Sequence, residues 1–309
     1  MSAAMREPQA DPLYARPLPE RPSYATGMLL DAADFAAEQT YHRGRLARAL
    51  AQLAGGVAGG GTLAGLRVAY QSAIDAGPNQ RPEEIRVEPG VAVDRLGRLI
   101  ELPRPACLRL VPWFAAQNAV DDGDSLRLAA FGGLDRFTSA RLVADDGALP
   151  ARAVVADVFV RFVGCAQGFT PSFATGPYDA LDAVATSRLR DAYELLLVLR
   201  PGLDDAFDGL PDPGPDLAAI ADPAERRARL DDAVLAAYPP SGRAGSEGEL
   251  EPLREHPNGV DRSAVYLARV LLPVGAADPP ARTAEAVRVD NWRRRFLPGV
   301  ALIARWIGA

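Results

Sequence analysis

The chain has 309 residues, 48% hydrophobic and 24% charged, enough for one large or two ordinary globular domains. Its net charge of −6 excludes nucleic-acid binding through a global positive field. Every Lys or Arg position holds arginine, a bias that a GC-rich genome explains, so no lysine amine is available for Schiff-base chemistry or a P-loop.

In chain order, residues 1–23 come first. Pro8, Pro12, Pro17, Pro19 and Pro22 exclude a regular helix or central strand, so this segment reads as an extended arm. It is either a loose tail or a strap laid over a neighbouring subunit, with Tyr14 and Tyr24 as anchors. Its polar, Pro-rich start predicts no secretory leader, and no apolar run reaches the roughly 18 residues of a membrane span. Residues 24–66 form a helical N-terminal module. Asp31 is placed to cap a helix by accepting from the amide of Asp34. Phe35, Gln39, Leu46, Leu50 and Leu53 follow near one face, with Arg43, Arg45 and Arg48 between them. That period predicts joint burial of Phe35, Leu46 and Leu50, and Gly55-Gly56 end the helix.

Residues 67–200 read as a β-rich, shell-like domain. Ile85, Val87, Val91 and Val93 alternate around the Pro89-Gly90 turn, and Asp94-Arg95-Leu96-Gly97 is a second turn before RLIEL. This pattern predicts an antiparallel meander with one buried face. Residues 113–120 read as a short loop or helix, and 125–131 as a strand introduced by Asp121-Asp122-Gly123-Asp124. VVADVFVRFV (154–163) and the ELLLVL run before Arg200-Pro201-Gly202 are strands. Residues 201–309 form an α/β C-terminal region: a helix started by Asp222-Pro223, a Gly/Ser/Glu-rich loop over 241–250, and final strands led by VYLARVLLPV. The expected fold class is α+β, mainly β: an N-terminal arm and helix, then an antiparallel β-sandwich-like body with a helical insertion.

Catalytic groups are sparse. A nucleophile needs a base, and the only histidines are His42, on the helix, and His256, in a turn-like loop. There is no Gly-x-Ser-x-Gly elbow, and the two histidines are too far apart for a local metal site. Gly59-x-Gly61-x-x-Ala64 fits a permissive dinucleotide pattern, but it follows a helix and enters a strand, the reverse of the order such a site requires. It reads as a flexible link. The clusters at Asp121, Asp145 and Asp204 lack the spacing of a calcium loop and read as turns. Cys107 and Cys165 read as buried small hydrophobes, and Arg293-Arg294-Arg295 as partners in ion pairs between elements or subunits. The expectation is a non-enzyme, with no catalytic, cofactor or metal residues.

One stretch also carries a resemblance. Tyr24, Gly27, Met28, Leu29, Leu30, Asp34, Phe35, Glu38, Gln39 and Tyr41, followed by Gly65-Leu66, resemble small proteins encoded with contractile injection systems and phage tails. The stretch is similar, more loosely, to the start of type VI secretion baseplate subunits of the TssK type, and VEPGVAVDRLGRLIEL (87–102) adds a second matching patch. Where such proteins often have an aromatic-Gly pair, this chain has the glycines of GGVAGGG. The resemblance implies a structural component of a contractile tail-like particle, at the baseplate or joined to a fibre. It implies other baseplate or tail proteins as partners, homo-oligomerisation, and a cytoplasmic protein assembled into the particle. The implied interface is Tyr24, Gly27, Met28, Leu29, Leu30, Phe35, Gln39 and Tyr41. A β-sandwich carbohydrate-binding protein or hydrolase is the alternative.

Overall fold

The computed structural model describes residues 11–15, 18–55, 59–77, 80–118, 128–171, 184–212, 214, 217–236 and 250–307. Among them the fold is α+β and mainly β, with five α-helices and three sheets of antiparallel strands. The Asp121–Asp124 turn, the start of the strand expected over 125–131, and residues 241–249 of the expected loop lie outside the described residues.

The N-terminal half runs α1 (Ala32–Leu53), β1 (Gly61–Gly65), β2 (Val68–Gln71), β3 (Glu84–Val87), β4 (Gly90–Val93), β5 (Leu99–Leu102), β6 (Ala106–Arg109) and α2 (Leu110–Asn118). The remainder is β7 (Ala130–Phe131), α3 (Ala140–Asp146), β8 (Ala153–Pro171), β9 (Val184–Leu199), α4 (Pro223–Ala236), β10 (Val265–Pro273), β11 (Arg288–Asp290) and α5 (Val300–Ile307). Strands β8 and β10 are the centre. Both begin as near-continuous apolar runs, and β10 throughout and β8 over 153–160 are buried, as strands covered on both faces must be. β11 extends the sheet beyond β10, and β7 and β9 pair with β8.

Two three-stranded sheets, β1-β4-β5 and β2-β3-β6, cover one face of this central sheet. Val68, Ile85 and Ile100 from the small sheets join Val154, Val158 and Val270 in one apolar cluster, which gives the body its sandwich character. On the other face, Leu134, Phe137 and Leu142 pack on Val155 and Leu271. The central sheet also buries charge, and buries it paired. Arg269 and Asp157, opposite one another on β10 and β8, are both fully buried and joined at 2.8 and 3.0 Å, and Arg200 reaches the same carboxylate at 3.2 Å. Arg269 also donates to the carbonyls of Phe137 and Asp208, so its donors have partners.

The meander expectation is corrected. β3 and β4 follow one another in sequence but belong to different sheets, because the chain crosses from one to the other at Pro89-Gly90. That crossing lies against Gly65: a Cβ on Gly65 would come within 2.1 Å of the Pro89 carbonyl oxygen, and one on Gly90 within 2.3 Å of the Ala64 oxygen. Leu66 follows with φ +56, a left-handed conformation that a non-glycine residue holds at a cost of about 1–3 kcal/mol, offset here by complete burial. β10 and β11 form the expected final strand pair. Helix α5 follows them, where no helix was expected.

Candidate assembly interface

Helix α1 begins as its sequence dictates. Asp31 Oδ1 accepts from the amides of Ala33 (2.8 Å) and Asp34 (3.1 Å), and Asp34 returns the bond to the Asp31 amide at 3.0 Å, a closed capping box. The helix ends at Leu53, before Gly55 at φ +99.

Which face it turns inward is the correction. Phe35 is 52% exposed and Leu46 63%, while Leu50 is only half-buried, so the expected buried trio does not form. The inward stripe is Thr40, Gly44, Ala47, Ala51 and Ala54, all small, which lets the helix backbone lie directly on the body. Its seat is the Asp94–Gly97 turn. Asp94 Oδ1 accepts from the amides of Leu96 and Arg98, both at 2.9 Å, and Gly97 takes φ +82. A Cβ on Gly97 would sit 1.7 Å from the Ala47 carbonyl oxygen, so only glycine fits at this contact.

The N-terminal arm is pinned to the same place. A short 3-10 turn over Pro12–Ala15 buries Leu13 against Gly44, and Asp11 pairs with Arg43 and Arg98, each at 3.2 Å. The Tyr14 hydroxyl lies 2.9 Å from both Asp261 and Ser263, and Arg98 stacks 4.8 Å from its ring. Burial pushes the Tyr14 phenol above its ordinary value in spite of the Arg98 charge, so the phenol stays protonated. Tyr14 therefore anchors the arm on its own body. Tyr24 does likewise, its hydroxyl donating to Glu38 Oε2 at 2.5 Å, and Arg21 approaches the Tyr41 ring at 6.0 Å.

Of the implied interface residues, Tyr24 and Tyr41 thus brace the arm against α1, while Gly27, at φ +87, shapes the turn closed by the Met28 amide on the Ala25 oxygen. Met28, Leu29, Leu30, Phe35 and Gln39 face solvent, Leu29 at 94%. Leu46, expected in the core, belongs to this exposed surface, as does Leu53 at 84%. The signal was present in the small residues at 40, 44, 47, 51 and 54, whose spacing repeats that of the large ones.

Other expectations resolve around the body. Gly60 and Gly61 are not a loose link: a Cβ on Gly61 would lie 2.6 Å from the Arg295 carbonyl oxygen, so the glycines permit a close crossing. Arg293 pairs with Asp208 at 3.4 Å, Arg295 pairs with Glu255, and buried Arg294 donates to the Leu66 carbonyl at 2.7 Å, so the triplet links elements as expected. Cys107 and Cys165 are exposed, against the expectation of burial, because Cys107 occupies an outward position of β6 and Cys165 lies in the stretch of β8 that is exposed throughout. His42 is exposed beside Tyr41, and His256 is buried, 2.9 Å from the Ala264 carbonyl. Among the described residues no group of three or more His, Cys, Asp or Glu side chains is placed to hold a metal ion, and no helix is long and apolar enough to cross a membrane.

Three further surfaces project apolar groups. Residues 164–171 of β8 extend with β9 as a two-stranded ribbon whose β8 side chains are exposed, including Phe169. Helix α4 buries none of its residues, and α5 exposes Val300, Leu302 and Ile303. No known protein-family model matches the chain, and no curated protein matches it.

Proposed function

We propose that the protein is a non-enzymatic structural component of a contractile tail-like particle, a baseplate or fibre-attachment protein that works by holding other subunits. The observation that carries this reading is the exposed apolar ridge Met28-Leu29-Leu30-Phe35, on the stretch that resembles proteins of such particles. The ridge lies on the turn that leads into α1 and on the first turn of that helix, which the body and the arm seat at Ala47 and Gly44, so the surface is in place for a partner. The exposed ribbon supports the same reading, because a two-stranded β-ribbon is at best marginally stable alone in water. Its partners on this reading are other baseplate or tail proteins and further copies of itself, in a cytoplasmic assembly that goes into the finished particle.

The test is biochemical. Tail-like particles purified from the source strain are expected to contain this chain at fixed stoichiometry by mass spectrometry, and a strain lacking it to yield incomplete particles. Complete particles in its absence would overturn the proposal.

A further inference from the structure

The outward face of α1 has more order than an apolar patch. Phe35, Gln39, His42, Leu46, Ala49 and Leu53 are separated by four, three, four, three and four residues, and all six are exposed. That is the alternation of a heptad seam, with Gln39, Leu46 and Leu53 at a positions and Phe35, His42 and Ala49 at d positions. The inward stripe meets the Asp94–Gly97 turn at Ala47 and Leu13 at Gly44, so the seam is a second, separate face of the same helix.

From this arrangement we infer that α1 is a self-recognition element: it pairs in parallel and in register with α1 of a second copy of this chain. The proposal rests on the reading of the chain as an assembly protein, and names one partner for its N-terminal surface. The flanking charges decide both partner and direction. Glu38 and Arg45 occupy g positions, and Arg43 and Leu50 occupy e positions. In a parallel pair, Glu38 of one copy, which also accepts from its own Tyr24, faces Arg43 of the second copy, which also pairs with its own Asp11, and the contact occurs twice by symmetry. Arg45 lies beside Leu50 of the second copy, where its stem covers apolar surface. An antiparallel pair that keeps all six seam layers in contact instead sets Arg43 against Arg43 and Arg45 against Arg45. Like charges disfavour that arrangement, and an identical chain supplies the complementary charge for the parallel one.

The helix has 22 residues, about 33 Å at 1.5 Å per residue, so the seam spans about three heptads. An isolated peptide of that length pairs weakly, because it must first become helical. Here the capping box and the body already hold the helix, so association does not carry that cost. Gln39 at an a position is a polar group in the seam, of the kind that favours one register by meeting its own copy.

Sedimentation velocity on the full chain, from micromolar to hundreds of micromolar, tests the pairing. The wild type is expected to reach at least twice the monomer mass, and Leu46→Glu/Leu53→Glu to fall back to the monomer with an unchanged circular dichroism spectrum. Register is tested in a Cys107→Ser/Cys165→Ser background by Gln39→Cys and Leu53→Cys, made separately. Each is expected to form a disulfide-linked dimer with itself under mild oxidation. A wild type that stays monomeric, an assembly that survives both glutamates, or cross-linking only when the 39 and 53 variants are mixed would overturn the inference. A monomer found in complete particles would overturn the seam and leave the assembly role standing. A seam dimer absent from those particles would do the reverse.

Discussion

Gly97→Ala is the substitution that most directly probes how the proposed assembly surface is mounted. Two costs add. The first is conformational: an alanine at φ +82 leaves its preferred region, at about 1–2 kcal/mol. The second is steric. The new methyl would lie 1.7 Å from the Ala47 carbonyl oxygen and 2.5 Å from its carbonyl carbon, both backbone atoms that no rotamer change can move. Relief requires α1 to shift away from the body by more than an ångström, which loosens Ala47, Ala54 and the packing of Leu13 on Gly44. Overpacking of this kind costs about 1–3 kcal/mol, so the total is about 2–5 kcal/mol.

Gly77→Ala separates the two costs. Gly77 has φ +96, but a Cβ there would meet nothing within 4 Å, so this variant should lose only the first. The assay is urea denaturation followed by circular dichroism, with limited proteolysis of residues 11–55 to detect release of the arm and helix. If the two alanine variants lose the same stability, the contact between Gly97 and Ala47 does not hold the helix, and the account of its seat is wrong.

Asp157→Asn leaves two buried arginines without their shared carboxylate and is expected to destabilise by about 3–5 kcal/mol in the same denaturation assay. His256 is held neutral by burial, which lowers its pKa from the ordinary 6.5 against the pull of its bond to the Ala264 oxygen. The unfolded chain therefore takes up this proton first, so stability falls as pH drops below about 6.5, by up to about 1.4 kcal/mol per pH unit for this group, and His256→Gln should flatten that slope. Partial desolvation of its sulfur and a hydrogen bond to Glu84 push the Cys107 thiol up to about 11, so in a Cys165→Ser protein at pH 8 iodoacetamide should label it roughly two orders of magnitude more slowly than an ordinary thiol.

Much of the body was legible because its strands carry strong patterns. The runs at 154–163 and 265–274 are too apolar and too short to be anything but buried strands between turn residues, and the folded chain places both at its centre. The start of α1 was legible for the same reason: Asp31 and Asp34 state a capping box in the sequence. Its orientation was not. Periodicity identifies a face but does not say what the face meets, and α1 has two faces of equal spacing. Reading burial from side-chain size chose the leucines, whereas the Gly97 contact required the alanines. The separation of β3 from β4 was hidden similarly, because Pro89-Gly90 signals a turn whether the chain pairs back on itself or passes to another sheet.

On the proposed reading, α1 divides folding and assembly between different residues of one helix. Its inward stripe offers little apolar area, so most of its attachment comes from close backbone approach and from the arm, where Asp11, Leu13 and Tyr14 connect Arg43, Gly44, Arg98 and Asp261. The large side chains are left over for the outer face, and burying them there is worth about 25 cal/mol per Å² only when another surface arrives. A helix that folded on its leucines would spend the same surface twice, and would have nothing left to offer a neighbour. The arm also accounts for how so narrow a contact holds: Tyr14 and Arg98 reach from the helix seat to Ser263 just before β10, so the outer seam is tied through two side chains to the most buried strand of the body. Rigidity at the core and exposure at the rim are in this sense one arrangement, and the proline-rich arm is its clamp.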